Sequence, residues 1–491
     1  MGLNVENKKE RWIGIHSVIG VAIMLLFRYL PLHLPEITPI GMQVIGIFIG
    51  TLYLWTFVGT VWSSFLAIAL IGISEYKPMG GLLAECFGNP TMVQIFFLMI
   101  VVGALIQYGI IAYIVRFFLS RKISNGRPWM LAFMVCMGAF CMAAFINAFA
   151  VLFLFWPVLY GVFDETGYKK TDDFPRIVLT LVAGATLLGF PTAPFAQNGL
   201  ALITNFATIT KDMPGGPILI NNAGYMVFAI IMGLGMTGAL IGFCKYVMKP
   251  DDSRLKNFNV ESLNRNPLPP MSRQQKIISW SSLLLVLAMM LPSFFPGLAV
   301  MKFLKANLNG LALVMLAILA AIRLEGKPVV DVPAVLKENF NWPSYFLVMA
   351  AVLLGGVLTS EATGVSAFLN VTLSPLFDGM SPMVFTVMLL VAGLVLTNLC
   401  NSLVVGMLLQ PVIVAYCAQT GVAAAPIATV MIIFVLESAL LTPAASPVAS
   451  VLHGNREWIP SKYVYRYAIP FTMIELVMMC VIGIPLANLM L

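Results

Sequence analysis

Long stretches without a charged residue constrain this chain most. Asp, Glu, Lys and Arg are absent, for example, from residues 38–74, 128–163, 177–210, 213–244, 277–301 and 379–436. A helix needs about 20 mostly apolar residues to cross a bilayer, so several of these segments hold more than one helix. Only 10% of the residues are charged, against about 25% in soluble domains. The sequence therefore predicts an all-α, multi-pass membrane protein.

The distribution of basic residues predicts the topology. We expect eleven transmembrane helices, near residues 12–30, 39–57, 60–75, 94–115, 177–210, 218–244, 277–297, 308–323, 343–360, 424–453 and 467–490. With a cytoplasmic N-terminus, the 28 Lys and Arg residues lie inside except Arg28, Lys77, Lys211, Lys302 and Lys305, as the positive-inside rule requires. The C-terminus is then outside, and the expected location is the inner (plasma) membrane of the cell. Because the basic residues form no surface stripe, nucleic acid is not an expected partner.

Two further apolar regions are expected to enter the membrane and return on the same side. Residues 128–163 have Arg127 before them and Lys169 after them, so both ends of this region face the cytoplasm. Residues 364–420 lie within a stretch, 338–455, that contains no Lys or Arg, so both of their ends face the exterior. The sequence thus predicts two re-entrant hairpins, one open to each side.

The two hairpin regions also resemble each other in sequence. FINAFAVLFLFWPV contains Asn147 and Pro157, and LCNSLVVGMLLQPV contains Asn401 and Pro411, at an offset of 254 residues. Downstream, FPTAPFAQN and TPAASPVAS follow in the same order at an offset of 252. The matched motifs lie in regions that are expected to open to opposite sides of the membrane. They therefore predict two inverted repeats, the architecture of many secondary transporters.

The repeats suggest a division of the chain into five regions. Residues 1–90 are the N-terminal scaffold helices, 91–245 the first repeat, 246–276 a cytoplasmic linker, 277–341 further scaffold helices and 342–491 the second repeat. Each repeat is expected to run as helix, hairpin, broken helix and final helix.

The candidate binding sites are the interruptions of helical backbone at membrane depth. As one helix, residues 177–210 would extend about 51 Å, whereas the bilayer core is about 30 Å thick, so breaks are expected at 189–194 and 442–447. Helix N-termini at such breaks favour an anion, and free carbonyls favour a cation such as Na⁺. The candidate substrate-binding residues are Asn147, Ala148, Pro194, Asn401, Ser402 and Pro447. The candidate ion-coupling residues are Asn147, Gly189, Thr192, Thr397, Asn401, Ser446 and Glu437.

Two of these assignments have structural alternatives. Asn147 and Asn401 could merely cap the hairpin turns. Glu437 lies deep in a predicted span, where a carboxyl group is functional by default and could carry a proton; alternatively, it could form a structural hydrogen bond to a Ser or Thr hydroxyl. Glu475 is expected near a lipid-headgroup edge, and Glu361 and Asp378 at the exterior surface.

At these residues the chain resembles the divalent anion/sodium symporter family of the ion transporter superfamily, from about residue 40 to its end. TPAASPVASVLHG at 442–454 resembles the second break of that family, and FGNPTMVQIFFLMIVVGALIQYGI resembles its fourth helix. The resemblance implies eleven helices, two hairpins tipped by Ser-Asn-Thr and a Thr-Pro-Pro break in each repeat. It also implies a homodimer that carries dicarboxylates, citrate or sulfate by an elevator motion, usually driven by Na⁺.

The chain departs from this family pattern at the sites themselves. The hairpin tips read Ile146-Asn147-Ala148 and Cys400-Asn401-Ser402, so most of the hydroxyls beside the Asn residues are missing. Phe195 and Val448 replace prolines, Ala449 replaces an Asn, and Glu437 stands where the family has a small neutral residue. We therefore expect altered coupling, with Glu437 as a candidate proton site.

The expected function is secondary transport of small organic anions, of the di- or tricarboxylate type, by elevator-type alternating access. Transport would be coupled to Na⁺ or H⁺ or would run as exchange, with no other cofactor, because no GxxxxGK[ST] motif for ATP is present. The main alternative is a cation/proton antiporter of the same superfamily that uses Glu437. A passive channel is a weaker alternative, and a membrane-embedded enzyme is disfavoured because no HExxH or GxSxG motif occurs.

Overall fold

The computed structural model is built almost entirely of helices, which confirms the expected fold class. It describes residues 2–491 except 33, 120, 147, 195–196, 212–215, 258–268, 296, 359, 366, 369–370, 373–374, 376–378, 400 and 444. Asn147, Phe195, Asp378 and Cys400, which figure in the sequence predictions, therefore lie outside the described residues.

The first half of the chain contains eleven helices of eight or more residues within its described part. In order they are Gly2–Leu26, Pro39–Phe57, Val61–Ile73, Met79–Gly88, Pro90–Gln107, Ile110–Leu119, Pro128–Ala143, Ala148–Glu165, Asp173–Gly189, Gln197–Ile209 and Asn222–Phe243.

The second half of the chain is also built mainly of helices. Its helices are Arg273–Phe294, Ala299–Ala306, Leu308–Ala321, Val332–Glu338, Trp342–Leu358, Pro382–Leu399, Ser402–Thr420, Ala424–Glu437, Pro447–Gly454, Ser461–Met478 and Ile484–Met490. A small antiparallel pair of strands, Arg323–Leu324 with Lys327–Pro328, follows the third of these.

Within the described residues, eight helices are long and apolar enough to cross a membrane, and two bent pairs would raise the number to ten. The remaining expected crossings appear as shorter apolar helices, among them Val61–Ile73, Tyr345–Leu358 and Ala424–Glu437. Their length, and not their composition, separates them from the long spans. The chain is thus a multi-pass membrane protein with slightly fewer full-length spans than the eleven expected.

One helix expected as continuous is bent. The sequence predicted a single helix over 94–115, whereas the structure has Pro90–Gln107 followed by Ile110–Leu119. Gly109, between them, has a φ of 67°, a left-handed conformation that residues with a Cβ rarely adopt. The glycine therefore allows the turn that separates the two helices.

The order of elements after these helices is the same in both halves. Hairpin 1 is Pro128–Ala143 with Ala148–Glu165, and hairpin 2 is Pro382–Leu399 with Ser402–Thr420. Broken span 1 is Asp173–Gly189 with Gln197–Ile209, and broken span 2 is Ala424–Glu437 with Pro447–Gly454. The closing helices are Asn222–Phe243 and Ser461–Met478. Hairpin 2 begins at Pro382, later than the predicted residue 364, and the five region boundaries given above stay a prediction.

The two broken spans run antiparallel. The start of broken span 1 lies beside the end of broken span 2, because Arg176 donates from Nε to the backbone carbonyl of Trp458 at 3.0 Å. Lys170, just before broken span 1, forms an ion pair with Glu457. Each half of one broken span also packs against the opposite half of the other. These contacts join the repeats in the inverted arrangement that their sequences predicted.

Candidate functional site

Broken span 1 is interrupted at a short 3₁₀ turn, Phe190–Thr192, which places Pro191 where a continuous helix would need a backbone N–H. The Thr192 hydroxyl donates to the carbonyl of Gly189 at 2.6 Å. The helix resumes at Gln197, and Pro194 is buried between the two halves. The break therefore lies close to its predicted position.

Gly189 brings hairpin 1 against this break. A Cβ atom built on Gly189 would lie 2.1 Å from the carbonyl oxygen of Phe140 in the first helix of hairpin 1. Such a distance is far inside van der Waals contact, so only glycine permits this approach between the two backbones. Gly189 gains a packing role from this contact, and its role as an ion-coupling residue stays a prediction.

Broken span 2 ends its first half at Glu437 and resumes at Pro447. Ser446 is the N-cap of the second half: its hydroxyl accepts from the N–H of Ala449 at 3.1 Å and donates to the carbonyl of Ala439 at 2.7 Å. Pro447 occupies the first helical position, where its missing N–H is no loss. Both features pre-form a helix N-terminus at the break.

The hairpin tips differ in polarity. At tip 1, Ile146 and Ala148 are buried and apolar, and Asn147 is outside the described residues. At tip 2, the side-chain oxygen of Asn401 accepts from the N–H of Leu403 at 3.0 Å, and Ser402 is buried beside it. Asn401 therefore caps the second helix of hairpin 2, as the structural alternative held.

Asn398, which sequence reasoning missed, ties hairpin 2 to the second break. Its side-chain NH₂ group donates to the carbonyls of Leu394 at 2.8 Å and Ser438 at 2.9 Å. Its side-chain oxygen accepts from the N–H of Leu441 at 2.8 Å, and its backbone carbonyl accepts from the Thr442 hydroxyl at 2.6 Å. The residue satisfies backbone groups that the interruption of the helix would otherwise leave unpaired.

The neighbouring Thr397 extends this network. Its hydroxyl donates to the carbonyl of Val435 in broken span 2 at 3.0 Å. At the repeat offset of 254 residues, Ala143 and Ala144 stand where the second repeat has Thr397 and Asn398. The polar link between hairpin and break therefore belongs to the second repeat, and the first repeat makes the same junction with apolar packing.

A second missed contact joins the two repeats directly. The Asn205 amide donates to the side-chain oxygen of Gln410 at 2.6 Å, and the Gln410 amide donates to the carbonyl of Leu202 at 2.8 Å. Both side chains are buried. Each of the two side chains is an amide inside a charge-free segment of the sequence. Polar side chains at membrane depth are rare unless they have a role, so both residues could have been predicted as candidates.

We expect this pair to be energetically coupled. Asn205→Ala or Gln410→Ala alone leaves a buried amide unpaired and should cost about 1–3 kcal/mol of unfolding free energy in detergent. The double variant should cost less than the sum, with a coupling energy of about 1 kcal/mol or more. Thr208→Ala, on the exposed face of the same helix, should change stability by no more than about 0.5 kcal/mol. Strictly additive costs would contradict the direct contact.

The second helices of the hairpins reach across to the opposite repeat. That of hairpin 1 packs against the second half of broken span 2, and that of hairpin 2 against the second half of broken span 1. The first half of broken span 2 packs against the turn Phe190–Thr192. The two breaks and the second helices of both hairpins are thus brought into one region, where helix N-termini can favour an anion.

Charged residues at this region are few. Glu437 is 0% exposed, and neither of its carboxyl oxygens has a hydrogen-bond partner among the described residues. The structural alternative of a bond to a Ser or Thr hydroxyl therefore finds no support. Glu475 was predicted near a headgroup edge, but it is 1% exposed, so that prediction is wrong. It lies on a closing helix, at the face that packs inside the protein.

An apolar cleft of about 510 Å³ lies at the end of hairpin 1. Its lining includes Met142 and Ile146 at the end of hairpin 1, Ile114 and Phe117 of the Ile110–Leu119 helix, and Val286 of the long Arg273–Phe294 helix. A cleft with mostly apolar walls is unsuited to an anion. The cleft lies between the end of hairpin 1 and the Ile110–Leu119 and Arg273–Phe294 helices.

Comparison with known proteins agrees with this architecture. The structure of the YdaH transporter from Alcanivorax borkumensis superposes with a TM-score of 0.57 at 15% sequence identity, covering 91% of this chain and 98% of that one. At this identity the likeness shows the fold alone. No curated protein sequence matches the chain significantly.

A comparison with protein-family models gives a match to the citrate transporter family, CitMHS, over residues 13–434. That match covers most of the chain and agrees with the superfamily resemblance inferred from the hairpin and break motifs. The chain therefore belongs to the citrate transporter family.

Proposed function

We propose that the chain carries small organic anions with two or three carboxyl groups across the membrane by alternating access. The observation that carries this proposal is the convergence of two hairpins and two broken spans from antiparallel repeats. Related halves that face opposite sides can exchange roles, so inward-open and outward-open forms can have similar energies. Family membership supports the substrate class.

The proposed anion site uses helix ends and amides. It comprises Asn147, Ala148 and Pro194 from the first repeat, and Asn401, Ser402 and Pro447 from the second. No Lys or Arg lies in the hairpins between 128 and 163 or between 379 and 436, so the positive ends of helix dipoles would supply the attraction. The polar groups of the second repeat would make the larger contribution, because the described part of tip 1 is apolar.

The proposed coupling residues are Gly189, Thr192, Thr397, Ser446 and Glu437, together with the two tip asparagines. The hydroxyls of Thr192, Thr397 and Ser446 each donate to a backbone carbonyl. Their oxygens keep lone pairs that could serve Na⁺. Anion transport would be driven by Na⁺, driven by H⁺, or run as exchange of one anion for another.

The moving part would be the hairpins with the broken spans and closing helices. The apolar cleft beside hairpin 1 supports this, since a moving element needs a neighbour against which it can slide. We further propose an inner-membrane homodimer with its N-terminus in the cytoplasm and its C-terminus outside, from the basic-residue distribution and the family resemblance.

The alternative function, a cation/proton antiporter, is favoured by one observation. Glu437 has a fully buried carboxyl group with no hydrogen-bond partner in the described part of the chain, and such a group is the type of ligand that this carrier needs. The antiporter would move Na⁺ against H⁺ in the absence of any organic anion, whereas the proposed anion carrier would not.

The deciding experiment is uptake into proteoliposomes. Labelled citrate and succinate are supplied with an inward Na⁺ gradient, with an inward H⁺ gradient, or with unlabelled anion inside, and internal pH is followed in parallel. We expect saturable uptake above protein-free liposomes under at least one condition, with acetate a poor competitor. Na⁺-driven pH change without anion, and no anion uptake, would establish the antiporter instead.

A further inference from the structure

The cleft of about 510 Å³ at the end of hairpin 1 continues into a narrow extension of about 70 Å³. The two spaces share part of their lining, namely Leu105, Phe145, Ser282 and Val286. Together they form one space, the hairpin groove. Voids in a packed protein interior are few and rarely exceed the size of a water molecule, so a groove of this size calls for an occupant.

The walls of the hairpin groove favour an apolar occupant from the membrane. Three of its lining side chains are open at the protein surface: Phe117 is 54%, Phe145 42% and Leu283 46% exposed. Phe145 and Leu283 belong to charge-free segments, so this surface faces the hydrocarbon of the bilayer. Ordered water needs two or more polar partners and does not fill an apolar space. A lipid chain is therefore the occupant that the surroundings supply.

The length of the hairpin groove fits one leaflet of the bilayer. Along the helix Arg273–Phe294, the lining extends from Ser279 to Met289, which is about 15 Å at a rise of 1.5 Å per residue. Half of a hydrocarbon core about 30 Å thick is also about 15 Å. The narrow extension suits one chain and not a bundle of chains.

The chain alone cannot give specific binding. Lipid tails are as apolar as the walls of the hairpin groove, so an acyl chain gains little when it leaves the bilayer for the groove. A lipid that stays in the groove must therefore be held by its polar headgroup, and the groove needs polar or charged residues at one end.

Two basic residues lie at one end of the hairpin groove. The guanidinium carbon of Arg121 lies 3.4 Å from the ring centre of Phe117, a lining residue, and its Nε donates to the Phe117 carbonyl at 3.1 Å. Lys276 is exposed and lies in the chain between the lining residues Met271 and Ser279. Within the part of the chain that the structure describes, neither basic residue forms an ion pair with a carboxylate. Both can therefore bind a phosphate group.

A buried hydroxyl lies deeper in the hairpin groove. Ser282 lines both parts of the groove, and its Oγ atom is buried without a hydrogen-bond partner among the described residues. Buried polar groups are normally paired; Ser279, one turn earlier, donates to the carbonyl of Gln275 at 2.7 Å. Ser282 lies about 9 Å beyond Lys276 along the helix axis. The order of a cation, a hydroxyl donor and apolar walls matches the phosphate, ester carbonyl and chain of a phospholipid.

We propose that the hairpin groove binds one phospholipid with a net negative headgroup, from the leaflet on the predicted cytoplasmic side. Arg121 and Lys276 bind its phosphate, the Ser282 hydroxyl donates to an ester carbonyl, and one acyl chain fills the groove. A zwitterionic headgroup would bring a further positive charge towards the two basic residues, so a net negative headgroup is preferred. This site goes beyond the proposed function and does not depend on it.

The test is competition photolabelling of the purified protein in mild detergent after removal of native lipid. The probe is phosphatidylglycerol with a photoreactive diazirine on one acyl chain, and unlabelled phosphatidylglycerol or phosphatidylcholine is the competitor. Peptide mass spectrometry locates the modified residues. We expect the label at the end of hairpin 1 and on the groove face of the helix Arg273–Phe294. Phosphatidylglycerol should displace the probe at least about tenfold better than phosphatidylcholine, since each basic residue contributes about fivefold.

Charge variants test the headgroup contacts. The double variant Arg121→Gln, Lys276→Gln should bring the two competitors within about twofold of each other. The double variant Lys302→Gln, Lys305→Gln removes the same charge from a helix without buried residues and should keep the wild-type preference. Ser282→Ala should weaken probe binding by about two- to tenfold, the effect of one hydrogen bond, and keep the preference.

A larger side chain tests the position of the chain independently of the headgroup. Leu283→Trp adds volume to the hairpin groove and should reduce labelling at least about tenfold, because the acyl chain and the indole ring compete for the same space. Leu284→Trp changes the next residue, which is 62% exposed and outside the groove lining, and should change labelling by less than about twofold.

Three results would overturn the proposal. Equal displacement by phosphatidylglycerol and phosphatidylcholine in the wild type would reject recognition of the headgroup. Loss of the preference in the Lys302, Lys305 control as well would reject the role of Arg121 and Lys276. Equal effects of the two Trp substitutions, with label spread over the exposed face of the helix, would place the chain on the surface and not in the groove.

A second measurement decides the matter if the charge variant does not fold. Native mass spectrometry of the wild type, released from the detergent in which it was first extracted, should show one retained phospholipid with a negative headgroup. Leu283→Trp should lose this lipid and Leu284→Trp should keep it. A wild type that retains no phospholipid would contradict the site. Neither measurement involves anion transport, so failure of the proposed function would leave both results valid.

Discussion

Asn398→Leu is expected to reduce anion transport by roughly a hundredfold, the scale of loss when a site is displaced by about 1 Å. Leucine fills a similar volume but cannot bond the carbonyl of Ser438 or the N–H of Leu441. Each buried group left unpaired should cost about 1–3 kcal/mol. Counterflow in proteoliposomes measures the transport loss, and denaturation in mild detergent measures the loss of unfolding free energy.

A matched control separates this role from a general effect of losing an asparagine. Asn307 makes the same kind of bond, from its amide to the carbonyl four residues earlier at 2.8 Å, but on an exposed turn. Asn307→Leu should leave counterflow within about twofold of the wild type and change stability by no more than about 0.5 kcal/mol. If the two variants behaved alike, the network at the second break would have no special role.

Gly189→Ala should destabilise the protein although alanine is the better helix former. The added methyl group would lie 2.1 Å from the carbonyl of Phe140, so hairpin 1 must move away from broken span 1. Overpacking of this type costs about 1–3 kcal/mol, and we expect at least a tenfold loss of counterflow from the displaced hairpin. The same two assays measure both effects.

Gly238→Ala provides the opposite expectation. Gly238 also lies in a helix, but nothing is within 4 Å of its added Cβ. Alanine there should be neutral or stabilise by up to about 1 kcal/mol through helix propensity, with transport unchanged. Equal stabilisation by both substitutions would mean that hairpin 1 does not approach the break as closely as the structure places it.

Much of the architecture could be predicted because short sequence patterns determine it. Charge-free stretches predicted the membrane spans, and proline positions predicted both breaks. The matched Asn–Pro spacing and the basic residues together predicted two hairpins in inverted repeats. Each of these signals acts over one element, where hydrophobicity and backbone restriction dominate the outcome.

What the sequence could not predict depends on contacts between distant segments. In the sequence, nothing distinguishes Asn398 from other residues near a hairpin tip. Its role depends on hydrogen bonds to backbone groups of the second break, about forty residues later. Glu475 was misplaced at a membrane edge because the direction in which a closing helix faces is set by packing against broken span 1, which a single sequence does not reveal. The bend at Gly109 was missed since an isolated glycine is compatible with a continuous helix.

Short helices were missed for a different reason. Met79–Gly88 and Ala299–Ala306 each carry polar or charged residues close to apolar ones, so they have neither the length nor the uniform apolarity of a span. Lys302 and Lys305 were assigned to an exterior loop, and the structure places them on the second of these helices. Their helical conformation does not change the predicted side of the membrane.

Labelling of two introduced cysteines tests the antiparallel relation of the repeats most directly. In a background without the seven native cysteines, Lys169→Cys probes the exposed loop after hairpin 1, and Ala423→Cys the exposed loop after hairpin 2. In intact cells, a membrane-impermeant thiol reagent should modify Cys at 423 and reach Cys at 169 only after the membrane is permeabilised. Modification of both positions in intact cells, or of neither, would place the two hairpins on one face and contradict the inverted arrangement.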